Sequence, residues 1–353
     1  MIGRKRKLML LAGMVPILAF SLISCKHSTT QGDSTWEYHT HPEEAGWSKK
    51  KLNEAKKFYN SLGSTAVMVI YDGKVLVEWG DVTKKSNVHS VRKSFLSALY
   101  GIHIENGIIH LDDTLEELAV SDHDPLSVLE QKAKVEDLLT SRSGIFLRAG
   151  EESLMMRWNR PEREAYIPGT YFHYNNWDFN VLGTIFNEKT NTDLFSEFHE
   201  RIALPLGMED YTPEDSFYKY ELNRTIHPSY LFRMSARDMA RFGQLYLQNG
   251  QWAGKQLIPK EWIKTSTSKH TAVPASKEYG YGYMWWVADN GRFQDLGLYS
   301  AIGRYGQSID IVPKENLVLV HRVDSDHLLN RTFNHVNDRD RLRLLEMILD
   351  AKL

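Results

Sequence analysis

The chain has 353 residues, 42% of them hydrophobic and 25% charged, and its formal net charge at pH 7 is −2. This composition is that of an ordinary globular protein with enough chain to bury a sizeable core. The sequence has no basic stripe interleaved with aromatic residues, so we expect no nucleic-acid partner. Its single cysteine excludes internal disulfides and zinc sites built from several cysteines.

The N-terminal 24 residues have the pattern of a secretion signal. Four basic residues at 4–7 precede an apolar run over 8–23, which is short for a membrane span. The next segment, Leu-Ile-Ser-Cys at 22–25, resembles a bacterial lipobox, in which the cysteine becomes the lipidated first residue of the mature protein. A plain cleavage site beside an incidental cysteine is the alternative.

We therefore expect a signal peptide over 1–24, a lipid on Cys25 and a polar tether over 25–46. These features predict an exported bacterial lipoprotein, anchored to a membrane and facing the periplasm or the cell exterior. The folded domain is expected over 47–353. The sequence indicates no oligomeric state.

Strands are predicted near both ends of this domain. Residues 64–80 contain two β-rich runs around Asp72-Gly73, a dipeptide typical of tight hairpins. A second pair of strands is predicted over 307–323, on either side of a turn at 314–316. The middle of the chain is mostly helical in pattern, with helices predicted over 179–186 and 194–202.

Two further helices carry clear boundary or periodicity signals. Ser235 has the pattern of an N-cap, with Asp238 three residues on and apolar residues at helical spacing after it. The chain ends on an amphipathic helix with Leu342, Leu345 and Leu349 on one face.

This order of elements predicts an α/β fold of the α+β type. The N- and C-terminal strands are expected to pair in one antiparallel sheet that is flanked by helices, with a mainly helical lobe inserted between them. The sheet lobe is predicted over 47–110 and 265–353, and the helical lobe over 111–264.

A candidate nucleophile and its base lie at the start of a predicted helix, in HSVRKSF at 89–95. Ser90 and Lys93 are i, i+3 neighbours, and a lysine whose pKa is lowered by burial can take the proton of a serine hydroxyl. Taken by itself, the pair is interpreted as an N-cap serine with a solvated lysine, because such pairs arise by chance throughout proteins. The same helix has a face of small residues, at 90, 94, 97 and 101, which predicts packing on more than one side.

Two further candidates lie in PGTYFHYNN at 168–176. Tyr174 can join a proton relay with a lysine, and the Asn176 amide can hold a substrate carbonyl or the lysine itself. The alternative is a loop with a packed tyrosine and a capping asparagine.

Taken in order, several segments resemble the serine β-lactamase and penicillin-binding-protein family, above all its class C-like branch with esterases and 6-aminohexanoate-dimer hydrolases. These segments are SVRK at 90–93, GIIHLDDTLEEL at 107–118, LLTSRSGI at 138–145, PGTYFHYNNWDFNVLG at 168–183, MSARDMARFGQLYLQNGQW at 234–252 and AIGRYGQSIDIVP at 301–313. Spaced motifs in a fixed order are more specific than any one of them.

The resemblance implies a β-lactamase/transpeptidase-like fold and an acyl-enzyme mechanism with neither metal nor organic cofactor. Ser90 would be the acylated nucleophile and Lys93 its proton acceptor. Tyr174 would join the proton relay, and Asn176 would contact the substrate amide or the acyl oxygen.

The third family motif aligns with Ala301-Ile302-Gly303. Gly303 would let the substrate backbone come close, and the backbone N–H groups of Arg304 and Ser90 would form the oxyanion hole. Ala301 and Ile302 lack the cation and hydroxyl with which β-lactamases and peptidases bind a substrate carboxylate. We therefore expect an esterase or small-amide hydrolase more than a true β-lactamase, with the Arg304 side chain as a candidate replacement for the lost cation.

Other functions are weaker on the sequence. A metal hydrolase has candidate ligands in His39 and His41, and in His110 with Asp112 and Asp113, but the first pair lies in the predicted tether and the second group fits helix capping. An α/β-hydrolase needs Gly-x-Ser-x-Gly, which the chain lacks. A non-catalytic, penicillin-binding-like lipoprotein that binds cell-wall peptide or a partner is the alternative from another class.

Overall fold

The structure is a computed structural model that describes residues 35–326 and 335–353. The predicted signal peptide, Cys25 and the first part of the predicted tether lie outside the described residues. The strands are β1 Ala66–Tyr71, β2 Lys74–Gly80, β3 Ser86–Asn87, β4 Ser216–Lys219, β5 Ser229–Met234, β6 Gln251–Trp252, β7 Lys255–Gln256, β8 Thr271–Ala272, β9 Tyr279–Tyr281, β10 Trp286–Ala288, β11 Tyr299–Gly303, β12 Gln307–Val312 and β13 Leu317–Arg322.

The α-helices are α1 Lys49–Ser61, α2 Arg92–Glu105, α3 Val135–Leu139, α4 Leu154–Trp158, α5 Asn176–Thr190, α6 Leu194–Phe198, α7 Leu204–Leu206, α8 Ala236–Leu247, α9 Lys260–Ser266, α10 Gly291–Asp295 and α11 Asp338–Leu349. A 3-10 turn, His89–Val91, leads into α2, and a π-helical turn, His199–Ala203, joins α6 to α7. Within the described residues, no helix is both long and apolar enough to cross a membrane.

An eight-stranded antiparallel sheet with the order β2-β1-β13-β12-β11-β10-β9-β8 is the centre of the fold. The hairpin β1–β2 turns at Asp72 and Gly73, whose φ angles of 47° and 77° suit the twist of a two-residue turn. The C-terminal hairpin β12–β13 places β13 against β1. The predicted pairing of the terminal strands in one antiparallel sheet is therefore confirmed.

Both faces of this sheet are buried. Along β1, Val67 and Val69 belong to the core under α1 and α11, whereas Met68 and Ile70 belong to the core on the other face. The continuous apolar run of β1 reflects this two-sided burial, since successive side chains of a strand point to opposite faces.

Helix α2 is buried over nearly its whole length, from Arg92 to His103. Its small face accepts close neighbours. The hydroxyls of Ser94 and Ser97 donate to the carbonyls of Met284 and Tyr283 at 2.8 and 2.7 Å. The predicted packing of this helix on more than one side is confirmed.

The helix signals agree with the structure. α5 contains the predicted 179–186, and the hydroxyl of Ser235 accepts from the backbone N–H of Asp238 at 3.2 Å to cap α8. α11 carries the three predicted leucines.

The domain begins earlier than predicted. Tyr38 forms a parallel bridge with Val75 of β2, and the His39 N–H donates to the Val75 carbonyl at 2.9 Å. This segment covers the outer edge of β2, which would otherwise leave its backbone groups unpaired. The last part of the predicted 25–46 tether therefore belongs to the folded domain.

The predicted lobe boundary also needs correction. α8 was placed in a helical lobe over 111–264, but it packs on the sheet, where a Cβ added to Gly243 would lie 2.5 Å from Val318 and 2.8 Å from Ile309. The same region contains a three-stranded sheet, β3-β5-β4. Residues 229–234 form β5 because their backbone pairs with β4 on one side and with the distant β3 on the other, and the local pattern does not show these partners.

Candidate active site

Ser90 lies in the 3-10 turn that precedes α2. The residue before it, His89, has a φ angle of 50°, a left-handed conformation that is uncommon for a residue with a side chain. The His89 backbone N–H donates to the Asn87 side-chain oxygen, and the His89 Nε2 lies 2.7 Å from Ser325 Oγ. These contacts hold the turn in a strained shape of the kind that is common at functional sites.

Lys93 lies one helical turn after Ser90 and brings the predicted residues together. Its Nζ is 3.1 Å from Ser90 Oγ, 2.6 Å from Tyr174 Oη and 2.9 Å from Asn176 Oδ1. The side chain is buried, with 1% of its surface exposed. The solvated lysine of the alternative interpretation is therefore excluded.

The surroundings of Lys93 favour its neutral form. Burial, followed by the positive charge of Arg92, holds the pKa of Lys93 well below that of an ordinary lysine, and the carboxyl of Asp178 opposes this only in part. A neutral amine has two N–H donors and one lone pair. Because Asn176 Oδ1 can only accept, it takes one N–H, and the lone pair is left for a hydroxyl such as that of Ser90.

The pKa of Tyr174 is shifted in the opposite direction to that of Lys93. Burial raises the pKa of Tyr174 to about 12, although contact with the Ser90 hydroxyl and the charge of Arg92 lower it in part. The phenol is therefore protonated near neutral pH. It can pass a proton between Lys93 and a reacting group, but it is not a phenolate base in this state.

The Asn176 side chain lies between Lys93 and two backbone carbonyls. Its Nδ2 donates to the backbone carbonyls of Glu151 at 2.8 Å and Gly150 at 3.3 Å, which fixes Oδ1 toward Lys93. This contact matches the alternative in which the amide holds the lysine itself. Asn176 also lines the cleft, and the contact with the substrate amide or acyl oxygen that the resemblance implies stays a prediction.

Gly303 brings β11 against the turn that carries Ser90. A Cβ added to Gly303 would lie 2.4 Å from the Val88 carbonyl oxygen and 3.2 Å from the Ser90 nitrogen. Only glycine allows this approach. Arg304 is the next residue, so β11 positions the Arg304 backbone beside the turn. An oxyanion hole formed by the N–H groups of Arg304 and Ser90 requires this arrangement.

The Arg304 side chain is exposed at the edge of the cleft, and its guanidinium carbon lies 4.8 Å from the centre of the Tyr305 ring. This stacking is typical of arginine and leaves its outer N–H groups directed to solvent or to a ligand.

These residues line a cleft of about 690 Å³. The helical side of the cleft contributes Glu151, Ser153, Met156, Phe217, Lys219 and Leu231, and the sheet side contributes Trp286, Ile302, Gly303, Arg304 and Tyr305. Residues 335–338 complete the wall. The sequence had predicted Gly303 and Arg304, but it did not indicate the residues of the helical side, since these come from distant segments with no motif in common.

Arg92 is a further residue that the sequence prediction missed. It is 3% exposed, donates to Asn180 Oδ1 at 3.0 Å and stacks its guanidinium 4.1 Å from the centre of the Tyr230 ring. Its position inside SVRK, next to Lys93, was the available signal. Its charge helps to keep Lys93 neutral.

The candidate metal ligands are used elsewhere. His39 Nε2 lies 2.9 Å from the Tyr71 carbonyl, and Asp112 pairs with Lys134 at 2.7 Å. Across residues 35–326 and 335–353, no group of three or more His, Cys, Asp or Glu side chains has an arrangement that could hold a metal ion.

Comparison with known proteins gives one family and many structural neighbours. A family model described as Beta-lactamase matches residues 55–345. An uncharacterized protein from Alkalihalophilus pseudofirmus is 23% identical over 300 residues, which cover 74% of this chain and 83% of the relative.

Among solved structures, the fold is similar to that of a protein from Bacillus anthracis provisionally assigned as a 6-aminohexanoate-dimer hydrolase. The TM-score is 0.64 and the identity 22%, over 84% of this chain and 80% of the other. It is also similar to an octameric penicillin-binding protein homologue from Pyrococcus abyssi, with a TM-score of 0.61 and 18% identity over 86% and 76% of the two chains. The predicted β-lactamase/transpeptidase-like fold is confirmed.

Proposed function

The chain belongs to the beta-lactamase family, and on this premise we propose that it is a serine hydrolase that cleaves an ester or amide through an acyl-enzyme on Ser90. Family membership supports a hydrolase in general terms. The ester or amide substrate, the acyl-enzyme and the roles of individual residues are our proposal.

One observation carries this proposal. A buried lysine with a strongly lowered pKa lies 3.1 Å from a serine hydroxyl, and two further groups, Tyr174 and Asn176, fix its position. A serine needs a neighbouring base to become a nucleophile, and a lysine kept neutral by burial is such a base.

In the proposed acylation, Ser90 Oγ attacks the substrate carbonyl and its proton passes to Lys93 Nζ. The oxyanion accepts hydrogen bonds from the backbone N–H groups of Ser90 and Arg304, and the N-terminus of α2 adds favourable potential. The carbonyl–leaving-group bond then breaks, and the leaving group takes the proton from Lys93 through the Tyr174 hydroxyl. Water cleaves the acyl-enzyme by the same route in reverse.

The cleft favours an ester or simple amide over a β-lactam. Ala301 and Ile302 supply neither a cation nor a hydroxyl next to Gly303 for the carboxylate of a β-lactam, and such charged hydrogen bonds contribute about 1.5–3 kcal/mol each. Arg304 is the nearest cation on that strand end and is a candidate carboxylate ligand.

The test is active-site labelling of the full chain with a fluorophosphonate, followed by intact-mass spectrometry. Ser90 Oγ should form a bond to phosphorus as fluoride leaves, which gives one adduct that is absent in Ser90→Ala. Ser153→Ala is the control, because that hydroxyl caps α4 in the same cleft and its loss should leave the adduct in place. A folded wild-type protein that forms no adduct would contradict the proposal and favour a non-catalytic binding protein.

We further propose that the mature protein is lipidated on Cys25 and acts on the outer side of a bacterial membrane. The support is the lipobox-like Leu-Ile-Ser-Cys after a basic and apolar leader. Metabolic labelling of cells with an alkyne fatty acid should mark the wild-type chain and not Cys25→Ser. Equal labelling of the two chains would contradict the assignment.

A further inference from the structure

We propose that the helical side of the cleft is a binding site for an apolar alkyl chain of the substrate, formed by Met156, Phe217 and Leu231. This inference rests on the proposed serine hydrolase and adds the class of group that the substrate carries. It applies to the acyl or alcohol part that extends from the carbonyl at Ser90 toward the helical lobe.

Phe217 is the first observation. It lies on β4, the edge strand of the β3-β5-β4 sheet, where Ser216 and Tyr218 are partly buried while Phe217 and Lys219 line the cleft. Nearly half of its surface, 47%, is exposed. Successive side chains of a strand point to opposite faces, so β4 directs the Phe217 ring into the cleft. The ring provides apolar surface for a bound ligand.

The short helix α4 is the second observation. Its cap residue Ser153 and its residue Met156 both line the cleft, and none of its residues is buried. Leu154, Met155 and Trp158 on the same helix are 60%, 58% and 74% exposed. Arg157 interrupts this apolar run, and these three residues do not line the cleft, so the contribution of α4 to the proposed site is Met156.

The exposed cation next to this wall, Lys219, has an acidic partner, and Arg92 is only 3% exposed. Lys219 forms an ion pair with Glu151. The guanidinium of Arg92 is covered by the Tyr230 ring and bonds to Asn180. A substrate group that contacts Met156, Phe217 and Leu231 therefore gains most from being apolar.

The opposite wall fits the same ligand. Ile302 and Trp286 line the sheet side of the cleft and are only partly buried. An alkyl chain between the two walls would remove apolar surface from water on both of its sides.

The test uses two fluorophosphonates that differ only in one alkyl chain, ethyl or octyl, and measures the rate of Ser90 labelling on the full chain by intact mass. The octyl chain has six more methylenes than the ethyl chain. If the site recovers half of the free energy of burying each of them, the octyl compound should react on the order of 50-fold faster. In Met156→Ser and Phe217→Ser this ratio should fall below about tenfold. Tyr220→Ser is the matched control, an aromatic residue that is 62% exposed, follows β4 and does not line the cleft. It should keep the wild-type ratio.

Each other outcome has a definite meaning. Equal ethyl and octyl rates on Ser90 would overturn the apolar site and leave the serine hydrolase standing. A fast octyl reaction that neither Met156→Ser nor Phe217→Ser slows would overturn this location for the site. No adduct with either compound would overturn both proposals.

Discussion

Lys93 is the residue whose properties most depend on its surroundings. A lysine in water is protonated at neutral pH and cannot accept the proton of Ser90. Here burial and the charge of Arg92 lower its pKa, and Asn176 fixes the amine within 3.1 Å of Ser90 Oγ. Burial and Arg92 therefore favour the neutral amine that the proposed mechanism needs, while Asn176 orients it.

Replacement of Lys93 tests its role as a base. Lys93→Arg keeps a long, basic side chain, but a guanidinium does not give up its proton in proteins, so the variant is charged where lysine is neutral. We expect Ser90 labelling and any ester hydrolysis to fall to background. Wild-type rates in a folded Lys93→Arg protein would remove lysine from the mechanism.

Tyr174→Phe should slow the reaction without removing the base. The ring and its packing remain, while the hydroxyl that lies 2.6 Å from Lys93 Nζ is lost. Proton relays of this kind contribute on the order of 10²–10⁴-fold, so we expect kcat for an ester substrate to fall by that factor. Hydrolysis at the wild-type rate would show that Tyr174 is only a packing residue.

Asn176→Asp tests the contact between Asn176 and Lys93. A carboxylate 2.9 Å from Nζ should raise the pKa of Lys93, by about 1–3 units, so the rise of the labelling rate with pH should move to higher pH. The matched control is Asn337→Asp, which adds a carboxylate at the other wall of the cleft and keeps a good cap for α11. An unchanged midpoint in Asn176→Asp would contradict the proposed contact with Lys93.

At the residue scale, the sequence predicts local chemistry and misses long-range support. Ser90 and Lys93 are three residues apart, so their contact follows from helix geometry alone. The role of Asn176 depends on the carbonyls of Gly150 and Glu151, which reach it through a loop about 25 residues away in sequence. No local pattern specifies that contact.

Among the elements, the approach of β11 to the turn His89–Val91 determines the site. Two backbone segments from distant parts of the chain meet where Gly303 leaves room. The strand positions the backbone after Gly303, and the turn positions Ser90. The oxyanion hole that we propose needs both elements, because its two N–H donors come from Ser90 and Arg304.

Gly303→Ala should break this approach. The added methyl group would lie 2.4 Å from the Val88 carbonyl oxygen, so β11 or the turn must move. We expect the Ser90 labelling rate to drop at least 10²-fold, since the loss of one oxyanion donor has an effect of about this size. The comparison is with wild-type protein, and circular dichroism should show that both chains are folded. Labelling of folded Gly303→Ala at the wild-type rate would contradict the close approach.

The long elements were predictable because their signals are local. The Asp72-Gly73 hairpin, the Ser235 cap and the leucines of α11 each lie within one short stretch of sequence. The strands β8–β10 have two or three residues each, and the sequence pattern of β4 and β5 did not indicate that they pair with each other and with β3. The lobe boundary was misplaced for the same reason, since the sequence does not show which layer α8 packs against.

For the molecule as a whole, a buried ion pair connects the C-terminal helix to the sheet. Arg341 of α11 and Asp310 of β12 are completely buried and paired. Asp310 also accepts from Ser300 at 2.6 Å and Ser308 at 2.7 Å, and Arg341 donates to Tyr279 Oη at 3.0 Å. The network joins α11 to β9, β11 and β12, and β11 is the strand whose end lines the cleft.

Arg341→Met should destabilise the fold because it leaves the Asp310 carboxylate buried without its cation. We expect the free energy of unfolding in urea to fall by about 3–5 kcal/mol. Arg343→Met on the same helix removes an exposed pair with Glu346 and should change it by less than about 1 kcal/mol. Equal effects of the two substitutions would show that the buried pair does not hold α11 in place.

The central claim is that a neutral Lys93 activates Ser90, and the pH dependence of Ser90 labelling by a fluorophosphonate tests it most directly. The rate should fall as pH drops through the lowered pKa of Lys93, because the protonated amine cannot accept a proton. Above that pKa it should be flat until Tyr174 ionises near its pKa of about 12. A midpoint well below the ordinary lysine value of 10.5 is the predicted result. A midpoint near 10.5, or a rate that does not depend on pH, would contradict the account.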